Sequence, residues 1–143
     1  MKTRTKNYRS MLAWDRYQKN RDTFINNCSQ RFDIGTLYII GCWSEDKKEI
    51  FIKIGITSRT VQERFATKTS MPYKYKILHT QQGNPIDVFM WEGIMHGRFK
   101  DKELSYQPKL EFSGSKTECF LADKAILDYI IFLKESYKQI EHQ

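Results

Sequence analysis

Little in this chain of 143 residues would staple it or anchor it. Its three cysteines, Cys28, Cys42 and Cys119, are odd in number, far apart and without a CxxC pair, which excludes a disulfide framework and a zinc knuckle. They read as free thiols in a reducing compartment. No apolar run approaches the length of a membrane span, about 20 residues, and the opening MKTRTKNYRS leads into charged positions without an apolar signal core. The expected setting is therefore the cytoplasm, with no membrane partner. Repeats, low-complexity tracts and Gly/Ser linkers are also missing, so pattern alone must divide the chain. Its length suits one domain that buries roughly two-thirds of its unfolded surface.

Charge is plentiful and unbalanced. The sequence carries 24 Lys+Arg against 17 Asp+Glu, a formal net charge of +7, and such a field concentrates polyanions. Basicity alone is equally compatible with a soluble enzyme of no special partner; clustering is what points to nucleic acid. Lys2, Arg4, Lys6, Arg9, Arg16, Lys19 and Arg21 crowd the first segment among Tyr8, Trp14 and Tyr17. Residues 1 to 33 are therefore read as a basic helical extension, in one or two imperfectly amphipathic helices. Arg9, Arg16 and Lys19 there, and Arg59 further on, are the candidate nucleic-acid contacts.

Residues 34 to 143 form the expected domain. Ile50, Ile52, Ile54 and Ile56 alternate with Phe51, Lys53 and Gly55, a period of two that puts four isoleucines on one face of a strand. Thr36 to Cys42 alternates likewise, and Ser44 to Lys48 can turn the chain into an antiparallel hairpin. Ser58 or Thr57 caps a short helix through Lys68, on which Arg64 and Lys68 share a side. A third strand follows from Tyr75 to Thr80. Asn84 with Pro85 opens a helix to about Phe99, and Ala122 to Ile140 reads as a packing helix. The fold class is α/β, a small antiparallel sheet of about three strands flanked by helices.

A hairpin turn centred in Glu45-Asp46 sets Tyr38 opposite Lys53, Ile40 opposite Phe51 and Cys42 opposite Glu49. Tyr38 and Lys53 then share the face away from the isoleucines, with Gly55 beside them. A half-buried strand tyrosine and a solvated lysine would satisfy the same pattern. On the helix after Pro85, apolar nearly all round, Glu92 is costly unless paired with a cation or metal, or bridged to a Lys or Arg at the surface. His96, one turn later, fits a hydrogen-bonding support better than a ligand.

The order Thr36-Leu37-Tyr38, Lys53-Ile54-Gly55, Arg64, Glu92 resembles the GIY-YIG endonuclease family, over roughly Ile34 to Phe120. The run Ile52 to Ser58, the Glu92…His96…Phe99 helix and the closing Thr117-Glu118-Cys119-Phe120 are similar to its small phage and bacterial branch. Lys53 stands where the second tyrosine of the family would be, and Glu118 where an asparagine would be. The resemblance implies a metal-dependent endonuclease, acting on DNA ahead of RNA, in the cytoplasm or in a host's if phage-encoded. It implies that Glu92 holds one Mg²⁺ or Mn²⁺, that Arg64 neutralises transition-state charge, and that Tyr38, its proton affinity lowered by Lys53, handles the water. Lys53 could instead contact phosphate. Lys68 and His96 take lesser catalytic roles, and Gly55 and Glu118 support the motif.

Two other functions remain open to the sequence: a non-catalytic nucleic-acid-binding module of the same fold, and an adaptor that binds protein through Trp14 and the first helices. Assembly into a homo-oligomer is compatible with all three.

Overall fold

A computed structural model describes the backbone of residues 2 to 141 and the side chains of residues 11 to 136. Its elements are α1 (Lys2–Ser29), β1 (Gly35–Trp43), β2 (Ile50–Thr57), α2 (Val61–Arg64), β3 (Lys74–Gly83), α3 (Pro85–Asp101), β4 (Cys119–Leu121) and α4 (Lys124–Glu141). The four strands form one antiparallel sheet in the order β3-β1-β2-β4. The class is α/β as expected, with one strand more.

Period-two alternation gives the hairpin two different faces. Leu37, Ile39, Ile52 and Ile54 turn to one side, where Val88, Met95 and Phe99 of α3 and Ile126 and Ile130 of α4 cover them. Of the four isoleucines, Ile50 departs from this face's burial: it opens the strand and is 56% exposed. Tyr38, Ile40, Cys42 and Phe51 turn to the other side and meet Val61, Phe65, Met71, Tyr73 and Cys119. That second face is a closed apolar layer, so Tyr38 and Lys53 are both buried on it, not half-buried and solvated.

The hairpin register differs from expectation by two residues. Tyr38 pairs with Gly55, Ile40 with Lys53 and Cys42 with Phe51. The turn centres later because Ser44 N–H donates to the Glu49 carbonyl, Asp46 accepts from Ser44 Oγ and the Lys48 N–H, and Lys47 takes the left-handed conformation at φ 58. A shift of two leaves every side chain on its expected face, whereas a shift of one would have reversed them all.

The helix after β2 is shorter than expected. Thr60, not Ser58 or Thr57, caps it, in a reciprocal capping box with Glu63, and it stops at Arg64. Lys68 lies beyond its end, so the shared face of Arg64 and Lys68 does not exist. Asn84 caps α3 with Pro85 at its first position, as expected.

The N-terminal segment is one continuous helix. Its second half is part of the core: Cys28 is fully buried and Phe24 packs under Gly35, where a Cβ would come within 2.9 Å of the ring. Tyr17 meets Phe89 of α3 edge-on at 5.2 Å.

Candidate active site

Adjacent positions on β1 and β2 bring Tyr38, Lys53 and Gly55 together. Lys53 Nζ donates to the Tyr38 hydroxyl at 3.0 Å, along the diagonal that the observed register creates. Gly55 is what lets the phenol lie there, since a Cβ would come within 2.4 Å of its oxygen. Lys53 also pairs with Glu118 Oε2 at 2.5 Å, from the turn that leads into β4. Gly114, at φ +85, shapes that turn, and a Cβ on it would collide with the Glu118 carboxylate. The edge of Phe65 closes over Tyr38 at 5.4 Å, and the Arg64 guanidinium rests 5.3 Å from the Phe65 ring.

Electrostatics follow from burial and charge. Burial by itself would lower the affinity of Lys53 for its proton, but the neighbouring Tyr38 oxygen and Glu118 carboxylate outweigh it and hold the ammonium charged. Burial raises Tyr38, and the opposing pull of Lys53 does not reverse this. The expectation that Lys53 would leave Tyr38 easier to deprotonate is thus corrected: at 1% exposure the phenol is a neutral group.

Glu92 approaches from α3. It lies in the helical series Val88, Glu92, Met95, Phe99, whose apolar members face the sheet, so the carboxyl is carried inward with them. Its Oε2 is buried without a hydrogen-bond partner. Burial, reinforced by the Glu118 charge and opposed by Lys53 and a hydrogen bond from the Ile56 backbone, pushes the carboxyl up to about 8. β4 pairs with Phe51 to Lys53 and the Glu118 carbonyl extends that edge by accepting from the Ile54 N–H, so Glu92 meets β2 further along, at the Ile56 backbone. No Lys or Arg bridges to it among the described residues, in contrast to the surface pair the sequence allowed.

The other candidates divide. His96 Nε2 bonds to the Ile54 carbonyl at 2.8 Å and its ring lies against Phe120, on the isoleucine side of the sheet. It clips α3 to β2. Lys68 is exposed in the loop after α2. Arg16 and Lys19 are exposed on α1, Arg59 is exposed just before α2, and the side chain of Arg9 lies outside the described residues. Sequence reasoning missed a second buried carboxylate, Glu49, which accepts from Tyr73, Tyr106 and the Lys109 N–H. All of its neighbours are structural, and its only early signal was its place at the end of the turn.

Among the described residues no group of three or more His, Cys, Asp or Glu is placed to hold a metal alone. A Mg²⁺ site needs less, because that ion keeps several waters and uses one or two carboxylates together with substrate phosphate. The orphaned Oε2 of Glu92 fits this demand.

The antiparallel α/β domain thus holds a buried lysine-carboxylate pair with an unpartnered glutamate beside it. Residues 35–133 match the T5orf172 domain, a nuclease-associated family, and the chain belongs to that family. No curated protein and no solved structure matches the chain. Nucleic acid is the partner that this membership implies. No helix among the described residues is long and apolar enough to cross a membrane.

Proposed function

We propose that the chain is an endonuclease of the GIY-YIG type that hydrolyses phosphodiester bonds, in DNA ahead of RNA. The observation that carries this reading is Glu92: a carboxylate sunk in an apolar helix face with one oxygen unpartnered and its proton affinity raised. A glutamate kept only for stability would have no use for that cost. Glu92 would hold Mg²⁺ or Mn²⁺, and the ion would supply charge neutralisation at the phosphate and the departing oxygen.

The remaining chemistry falls to the chain's own groups. Arg64, half-buried at the margin of the cluster, is permanently charged and fork-shaped, suited to the charge that builds on the phosphate in the transition state. Tyr38, nearly buried, accepts a hydrogen bond from Lys53 and so positions that ammonium and the Glu118 carboxylate paired with it. Glu118 keeps 26% of its side chain exposed and is the member nearest solvent in the chain Tyr38–Lys53–Glu118. It is suited to take the proton from an attacking water. Lys68 has no place in this scheme, and His96 acts through the backbone it holds.

A binding module that retains the fold without turnover is favoured by one specific observation, the near-complete burial of Tyr38 and Lys53. Plasmid DNA and structured RNA, each incubated with the purified protein and Mg²⁺ or EDTA, separate the two. Cleavage with Mg²⁺ and none with EDTA supports the enzyme; retention of substrate without cleavage in any divalent ion supports the module.

A further inference from the structure

Between the end of α1 and the start of α2 lies a cleft of about 580 Å³, within the size range of ligand pockets. Its walls include Phe32, Arg59, Thr36, Thr80 and Gln82. Phe32 is the unusual member. It is 94% exposed, so it contributes almost nothing to the core, yet it is held in the left-handed conformation at φ 63, followed by Asp33 at φ 58. Bulky residues avoid that region, and Phe32 persists there only because the surroundings enforce it, whereas Asp33 is of a type that tolerates it. Here the Cys28 carbonyl accepts from both the Arg31 and Asp33 N–H groups at 2.8 Å, and Arg31 forks onto Glu63 of α2 at 2.9 and 3.0 Å. The turn is fastened at both ends, and its product is an aromatic ring presented to solvent at the rim of a cleft lined by both polar and apolar groups.

We propose that this cleft receives an unpaired nucleobase of the substrate, stacked on Phe32. The inference rests on the nucleic-acid reading above and narrows the substrate to strands with a bulged, flipped or single-stranded nucleotide near the point of cleavage. Stacking on an aromatic ring suits any base, because every base has a π-face. Thr36, Thr80 and Gln82 offer hydroxyl and amide groups to a base edge, and exposed Arg59 offers a cation to the adjoining phosphate. The cleft is also at the right distance. Thr36 precedes Tyr38 by two residues on the same strand face, about 7 Å, which is roughly two stacked nucleotides. Phe32 lies just outside the matched family domain, at residues 35–133, so the device belongs to the junction between α1 and that domain.

The test uses the whole protein in EDTA, so that binding is read without cleavage. Fluorescence anisotropy compares a paired DNA duplex with the same duplex carrying one unpaired nucleotide, for the parent, Phe32→Ala and Phe32→Trp. The parent is expected to bind the bulged duplex about tenfold more tightly. Phe32→Ala should lose that preference while keeping the parent's affinity for the paired duplex, and Phe32→Trp should retain it. A preference unchanged in Phe32→Ala, or equal binding of both duplexes by the parent, overturns the stacking role and leaves nucleic-acid binding standing. Failure of the parent to bind either duplex overturns both. Because Phe32 is exposed, all three proteins should melt alike.

Discussion

Lys53 Nζ and Glu118 Oε2 meet at 2.5 Å and tie the middle of β2 to the turn ahead of β4. The pair is lopsided: the lysine side chain has no exposure, while the glutamate keeps 26%. A buried ammonium left without its carboxylate is expensive, because the neutral Tyr38 hydroxyl that remains bonded to it does not balance its charge.

Glu118→Ala should therefore lower the unfolding free energy by about 3 kcal/mol, the low end for a broken buried pair because Glu118 still faces solvent. Glu118→Gln, which keeps an acceptor for Lys53, should lose less. Urea unfolding measures both, and a Glu118→Ala protein as stable as the parent would contradict the pairing.

Glu92 gives the fold a pH dependence of definite sign. Its carboxyl is raised to about 8 in the folded chain, against about 4.3 for an unperturbed glutamate. Folding then favours the protonated form, so the stability this group contributes is complete below about pH 4.3 and is lost as pH rises to about 8. The parent should melt several degrees lower at pH 8 than at pH 5 relative to Glu92→Gln. A cation bound by the ionised carboxylate reverses part of that loss by mass action, so Mg²⁺ should raise the melting temperature more at pH 8 than at pH 5, and not in Glu92→Gln. Thermal melts at the two pH values with and without Mg²⁺ check this; parallel curves for both proteins would remove Glu92 from the account.

The basic face of α1 should add affinity without chemistry. Removing residues 1 to 32 cannot test this cleanly, because Phe24 and Cys28 are core residues. Replacing exposed Arg16 and Lys19 by Gln does. Every phosphate left without its cation flattens the dependence of log affinity on log salt by nearly one, so the double variant should lose up to about two units of slope, with an unchanged cleavage rate at saturation. An unaltered slope would leave α1 a packing element only.

Much of this site was legible in the sequence because its signals are periodic. Ile52 and Ile54 against Lys53 and Gly55 assign the faces of β2, and a face survives any even error in register, so Tyr38 and Lys53 share a face although the pairing is shifted by two residues and the turn centres one residue later than expected. Glu92 was legible as an intrusion into an apolar stripe. The features that escaped depend on distant parts of the chain. β4 is three residues long and acquires its strand form by pairing with β2. The helix after β2 ends at Arg64, where continued helical propensity gives way to Phe65 turning into the layer with Tyr38 and Tyr75. The closure of the Tyr38 face likewise comes from residues far along the chain, Tyr73, Tyr106 and Phe112, packed around Phe51.

Cleavage by the Arg64→Ala and Glu92→Ala variants, beside the parent and Lys138→Ala as a control, tests the central claim most directly. Arg64 is assigned to charge that exists only in the transition state, and removing such an interaction costs on the order of 10²–10³ in rate while binding hardly changes. Glu92 is assigned to the metal, so its removal should abolish activity and any response to Mg²⁺. The account predicts two folded proteins that bind nucleic acid as the parent does and cut it at least about 100-fold more slowly; full cleavage by Glu92→Ala would contradict it.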